Sequence, residues 1–192
     1  MKVEYVKLNE VRENKANPRF IRDKSFGKLI DSVLIFPRML ELRPIIVDTK
    51  MTCLGGNMRF KALTAISKLS IEQIGDQLSQ LSEYALKTAN ERAELIEYWD
   101  SWLDNPQAII MRASEMTETD KKAFIIKDNV SFGEYDMDMI ANEWTEVPVE
   151  EWGLEVEYLT PDEDIEEEDQ EKEKKKKKVT CPECGHEFDP KG

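Results

Sequence analysis

The chain lacks a long apolar run. No stretch approaches the roughly 20 residues needed to cross a bilayer. Its opening, "MKVEYVKLNEV", alternates like a strand and has no apolar centre of the signal-peptide kind. The expectation is a cytoplasmic protein without membrane contact. Cysteine is scarce: of 3 in 192 residues, two share a single CxxC, which argues against a disulfide framework. Histidine is scarcer still, with His186 alone in the C-terminal tail. Ser-His and Cys-His nucleophilic machinery is therefore excluded from the main body of the chain. Positive charge is also short, 27 Lys and Arg against 40 Asp and Glu.

That deficit is uneven. Residues 1–69 hold 14 basic side chains against 7 acidic, residues 70–160 hold 6 against 21, and residues 161–192 hold 7 against 12. A basic first third in an acidic protein points to an anionic ligand such as phosphate, nucleotide or nucleic acid. The alternative is an acidic helical layer that covers part of this surface.

What is present reads as α+β, a small mixed sheet with packed helices. "VEYVKLNEV" is a strand by alternation, "RPIIVD" a short buried strand, and "KMTCLG" a second strand leaving a turn at Thr49-Lys50. "SFGKLIDSVLIF" is a helix capped by Ser25, with Phe26, Leu29, Ile30 and Val33 inward, and Pro37 ends it. "MRFKALTAISKL" is the next helix. Ser70 and Gln73 form a capping box that opens two further helices, 71–80 and 83–103. The second of these carries Leu86, Ala89, Ala93, Ile96 and Trp99 on one face. A buried strand over Ala108–Arg112 follows, then a capped helix in "TETDKKAFIIKDN" and another after "SFGEYD". "VPVEEWGL" reads as one short helix, Pro148 near its start and Gly153 past its end. Phe124, Ile125, Trp144 and Trp152 are assigned to the core.

After Thr160 the composition changes. Residues 161–178 are an acidic block and then a lysine block, too polar to bury a core, and read as a flexible charged linker. Residues 179–192 form a separate knuckle-like tail. Its "CPECGH" sets Cys181 and Cys184 around a turn that can aim both sulfurs at one zinc, with His186 as a third ligand. A structural site needs four ligands, and no second CxxC supplies the rest.

The stretch "LGGNMRFKAL", Leu54 to Leu63, runs from a strand through two glycines into a helix. Gly55 and Gly56 let a ligand approach the backbone, and free helix N–H groups would point at it. Arg59 and Lys61 would add charge-assisted bonds. The pattern is neither of the common glycine-rich phosphate motifs, so a plain packing turn is an equal reading.

Several segments in order resemble the ParB N-terminal domain, whose fold is shared with sulfiredoxin. Asn17-Pro18-Arg19 resembles the family's NPR stretch. "LIDSVLIFPRMLELRPIIV" is similar to its segment leading into the buried strand, and "GNMRFKAL" to its phosphate-binding "GERRWRAA". "PQAIIMRASEMTETDKKAFIIKDN" resembles the strand and helix before "ENxQR", so that Asp128-Asn129 falls on Glu-Asn. The resemblance covers about residues 3–69 and 105–145, with 70–104 as a helical insertion inside a domain spanning 1–160. It is closest to ParB-like proteins of phages and mobile elements, which often neighbour DNA methyltransferases.

The resemblance implies binding of nucleotide or DNA phosphate by Arg19, Gly55, Gly56, Asn57, Arg59, Lys61 and Asn129. Asp128 would hold magnesium with the nucleotide. It also implies a role as an accessory in DNA modification or maintenance, with a methyltransferase as candidate partner and oligomers as an option. Two departures argue against CTP hydrolysis. Asn57 and Met58 stand where the family has Glu and Arg, and Ser131 and Phe132 where it has Gln and Arg. Sulfiredoxin activity is not expected, because the matching "GCHR" cysteine is Asn57 and Cys53 lies upstream on a strand. No helix-turn-helix segment is recognisable. The alternatives are an enzyme, either a nucleotide triphosphatase or a metal-dependent nuclease using Asp128, Glu134, Asp136 and Asp138, and an acidic protein-binding adaptor with a vestigial pocket.

Overall fold

The computed structural model describes residues 2–19, 21–113, 116–130, 133, 135–154, 179–180 and 187–188. The chain divides into two compact units, Met1–Leu154 and Glu155–Gly192. The expected linker 161–178 lies outside the described residues.

The first unit is mixed α+β, as its pattern predicts. Its sheet has four strands in the order β1 (Val3–Lys7), β4 (Gln107–Arg112), β2 (Ile45–Val47), β3 (Cys53–Gly55). β1 and β4 run antiparallel with Val3 opposite Met111. β4 and β2 run parallel with Ile45 opposite Ile110. β2 and β3 close an antiparallel pair with Ile46 opposite Gly55. A single turn of 3-10 helix, Leu8–Glu10, follows β1 and buries Leu8.

Side-chain alternation splits the strands between two cores. Ile45, Val47, Cys53 and Ile110 enter the larger one, together with Leu34 and Leu63. These come from α1 (Asp23–Ile35) and α3 (Asn57–Ile66), which pack on each other. Leu54 points the other way and meets Ala113 and Ile125, with Ile46 and Phe124 partly buried beside them. Ile125 and Phe124 belong to α7 (Glu118–Lys127), which packs on β3. A short α2 (Met39–Leu42) bridges α1 and β2.

α1 starts at Asp23, two residues before the predicted cap Ser25, and Arg22 precedes it without a side-chain cap. Its fully buried residues are Val33, Leu34 and Ile35, while Phe26, Leu29 and Ile30 are only partly covered.

Residues 70–104 are three helices rather than two: α4 (Ile71–Ser79), α5 (Ser82–Leu86) and α6 (Ala89–Asp104). Ser70 and Gln73 cap α4 reciprocally, as their spacing predicts. The unpredicted break comes from a second capping box, in which Thr88 accepts from Glu91 N–H while Glu91 accepts from Thr88 N–H. That box ends the helical run at Lys87, so Leu86 is exposed instead of lining a continuous face. The buried face of α6 is Leu95, Trp99 and Trp102. Trp99 is fully buried and donates its Nε1–H to Leu34 O at 2.9 Å. The insertion therefore shares the main core instead of hanging from it.

α8 (Met137–Glu143) follows, capped by Asp136 through Met139 N–H at 2.9 Å. "VPVEEWGL" forms consecutive turns, with Leu154 N–H bonded to Val149 O at 3.1 Å, instead of the expected helix. Trp144 and Trp152 are exposed, contrary to their core assignment. Their segment lies against the body by its edges, leaving the rings half uncovered. Among the described residues no helix is long and apolar enough to cross a membrane.

In the second unit β5 (Val179–Thr180) pairs antiparallel with β6 (Glu187–Phe188), Val179 opposite Phe188. Cys181, Cys184 and His186, the expected zinc ligands, fall between these strands in sequence and lie outside the described residues.

Candidate anion-binding cleft

The two glycines do different work. Gly55 ends β3, and a Cβ there would meet the Asp128 Oδ2 at 3.0 Å and the Phe124 ring at 3.2 Å. Its missing side chain lets the end of α7 settle against the strand. Gly56 has φ of +80°, a left-handed conformation that glycine adopts without strain. A Cβ there would lie 2.8 Å from Arg59 Nη2. The turn thus folds the Arg59 side chain back over Gly56. α3 begins directly after it with no side-chain cap, so first-turn N–H groups remain for water or a ligand.

Arg59 is held without being neutralised. Its Nη2 donates to Pro44 O at 3.4 Å, and its buried Nε has no hydrogen-bond partner among the described residues. Burial lowers the guanidinium pKa from its ordinary value, Arg43 lowers it further, and Asp128 offsets part of that. An anion placed between the two arginines would offset the burial cost and screen their repulsion.

The NPR stretch arrives from the opposite side. Asn17 accepts Arg19 N–H on its own side-chain oxygen at 3.0 Å, a local turn that sets the direction of Arg19. Arg19 then donates to the Asn129 side-chain oxygen. Asn129 in turn donates to Ile125 O, which ties it to the last turn of α7. Asp128 is the C-cap residue of the same helix.

These pieces enclose a cleft of about 240 Å³. Arg19, Arg43, Gly56, Arg59, Asp128 and Asn129 all line it. Three guanidiniums against one carboxylate make it a cationic site in an otherwise acidic chain. Ile21 and Leu29 give it an apolar side. Three arginines, a free helix start and a tight glycine turn are the donor set for an oxyanion.

Two of the sequence candidates are occupied elsewhere. Lys61 does not line the cleft; it pairs with Glu13 at 2.7 Å. Its position two residues after Arg59 rotates it about 200° around the helix. Asn57 lines the cleft but is buried, and its Oδ1 accepts from Asn14 N–H at 3.0 Å. It anchors the loop that carries the NPR turn. Arg43 is the lining residue that sequence reasoning missed. It precedes Pro44 in a bridge without a motif, and the antiparallel pairing of β2 with β3, which sets Ile46 opposite Gly55, brings it to the glycine turn.

Among the described residues no group of three or more His, Cys, Asp or Glu could hold a metal. Asp136 caps α8, and Glu134 lies outside the described residues. Cys53 is fully buried on β3, where burial pushes its thiol up to about 12 with help from Glu13. It is a packed apolar residue and not a nucleophile.

No protein-family model matches the chain, and no curated protein matches it significantly.

Proposed function

We propose that the first unit is a ParB/sulfiredoxin-like domain that binds the phosphate of a nucleotide or nucleic acid. The observation that carries this reading is the meeting of Arg19, Arg43 and Arg59 with the uncapped start of α3 in one cleft. They come from three separate stretches of sequence, Arg59 lying in the first turn of α3, and they share a chemistry. The NPR, glycine-turn and Asp-Asn stretches are also those on which the family resemblance rests. The biological role that fits is an accessory in phage or mobile-element DNA modification or maintenance, with a DNA methyltransferase as candidate partner.

Asp128 is the group that would hold a magnesium ion accompanying the phosphate. One carboxylate, ligand oxygens and water make an ordinary magnesium environment. In this reading Arg43 and Arg59 grip the anion, Arg19 closes over it from Asn129, and Gly56 keeps the approach open. The second reading, an enzyme, rests on Asp128 alone among the described carboxylates of the cleft. A zinc-bound tail around Cys181, Cys184 and His186 remains part of the proposal.

The test is a panel of CTP, ATP, GTP and short DNA, with and without magnesium, on the purified full chain. Binding without turnover supports the accessory reading. Turnover abolished by Asp128→Ala supports the enzyme. No binding to any of these ligands refutes the phosphate site. Zinc content before and after Cys181→Ser tests the tail.

A further inference from the structure

A second concave surface lies on the first unit, between α8 and the turns that follow it. Its volume is about 590 Å³, within the usual range for ligand-sized clefts. Met139, Ile140 and Trp144 of the α8 region form one wall, and Val149, Trp152 and Leu154 the other. Tyr135 is 69% exposed, Met139 48%, Trp144 47% and Trp152 45%. Large apolar groups gathered in a groove with a polar rim mark an interaction surface.

The segment that forms the groove carries one sign of charge, and its Asp136 lines the groove itself. Residues 135–154 contain Asp136, Asp138, Glu143, Glu146, Glu150 and Glu151 and no Lys, Arg or His. All six carboxylates are exposed, and none is in an ion pair among the described residues. Asp136 caps α8, and Glu151 accepts from the Ser82 hydroxyl at 2.8 Å. The segment is fastened to the body at its edge. Trp152 Nε1 donates to Glu83 at 2.9 Å, and Lys28 Nζ donates to Glu150 O at 2.6 Å. These bonds hold the segment against the body, and its negative charge disfavours nucleic acid.

We infer that this groove docks a basic amphipathic protein segment, which inserts apolar anchors between Trp144 and Trp152 and sets Lys or Arg against the carboxylates. A helix laid in an apolar groove and read through its i, i+3 and i+4 side chains is the matching recognition mode. Lysine and arginine next to exposed indoles add cation–π attraction. The inference does not depend on the anion cleft, which uses none of these residues.

The probes are two fluorescein-labelled helical peptides that differ only in charge, one Lys/Leu and one Glu/Leu, each with leucines at helical spacing. Anisotropy titrations of the full chain give binding of the Lys/Leu peptide and none of the Glu/Leu peptide. Trp144→Ala weakens it about 30-fold, as loss of an interface hot spot does. Glu143→Lys with Glu146→Lys weakens it about tenfold, while Glu94→Lys with Glu97→Lys on α6 changes it less than about twofold. The charge-reversal variants alter exposed side chains only, so they decide the matter if Trp144→Ala fails to fold. The inference is overturned if neither peptide binds. It is also overturned if both bind alike, or if reversal on α6 costs as much as reversal at the groove. Phosphate binding measured on the groove variants stays within about twofold of the parent, which separates the two sites.

Discussion

Arg19 and Asn129 are joined by a side-chain hydrogen bond across 110 positions of sequence. Through it the NPR turn is clasped to the end of α7, and the two walls of the cationic cleft become one structure. Removing either partner frees the other wall. Arg19→Ala and Asn129→Ala should therefore be non-additive in phosphate affinity, with a coupling of about 1 kcal/mol. A double-mutant cycle by calorimetry measures it. Additive effects would mean the clasp does not set the geometry of the cleft.

The arginines and the lysine of the glycine-turn region should behave differently. Arg43→Met and Arg59→Met each remove a guanidinium that lines the cleft. Charge-assisted bonds of this kind are worth roughly 1.5–3 kcal/mol, so each variant should lose about ten- to a hundredfold in affinity. Lys61→Met removes only an ion pair with Glu13, and affinity should stay within about twofold. A large loss at Lys61 with none at Arg43 would place the ligand on the other side of α3.

Gly56→Ala forces a Cβ into a left-handed position and against the Arg59 guanidinium. The expected cost is about 1–2 kcal/mol in denaturant melts, with phosphate affinity reduced because Arg59 must move. Gly55→Ala instead presses on Asp128 and Phe124. It should disturb any magnesium dependence more than metal-free binding, read by comparing titrations with and without the ion.

Acid stability has a local source at Asp48. Burial pushes its carboxyl pKa up, but N–H donors from Thr52 and Lys50, with Lys121 nearby, bring it below the ordinary value. Oδ1 accepts from Lys50 and Thr52 at 2.8 and 2.9 Å, closing the turn between β2 and β3. A carboxylate whose folded pKa is depressed contributes stability above its unfolded value, near 4. That contribution fades as pH falls through the lower folded value. Asp48→Asn should cost about 1 kcal/mol at neutral pH and progressively less toward pH 2, measured by urea melts. A constant difference across that range would contradict the assignment.

Much of the local structure is legible from residues alone, because its causes are local. The period-2 and helical patterns locate the sheet strands and α1, α3 and α7, and Ser70-Gln73 announces α4. Thr88-Glu91 carried the same signal at α6 and was obscured by apolar residues on both sides of the break. Trp144 and Trp152 mislead for a different reason. Apolar character predicts burial only when something packs over the residue, and these two rings are covered only about halfway among the described residues.

The sequence by itself determined the glycine turn, the basic first third, the NPR turn and the acidic segment after α7. Each follows from backbone sterics, side-chain hydrogen bonding or charge over a few residues. Only the tertiary structure decided which cations share a cleft. Arg43 joined because β2 pairs with β3 and sets its start beside the glycine turn, and Lys61 left because a rotation of about 200° along α3 turns it to Glu13. Asn57, which sequence offers as a ligand group, became the bolt of the Asn14 loop. Neighbourhood across the sheet depends on which surfaces bury together, and no single stretch of chain contains that information.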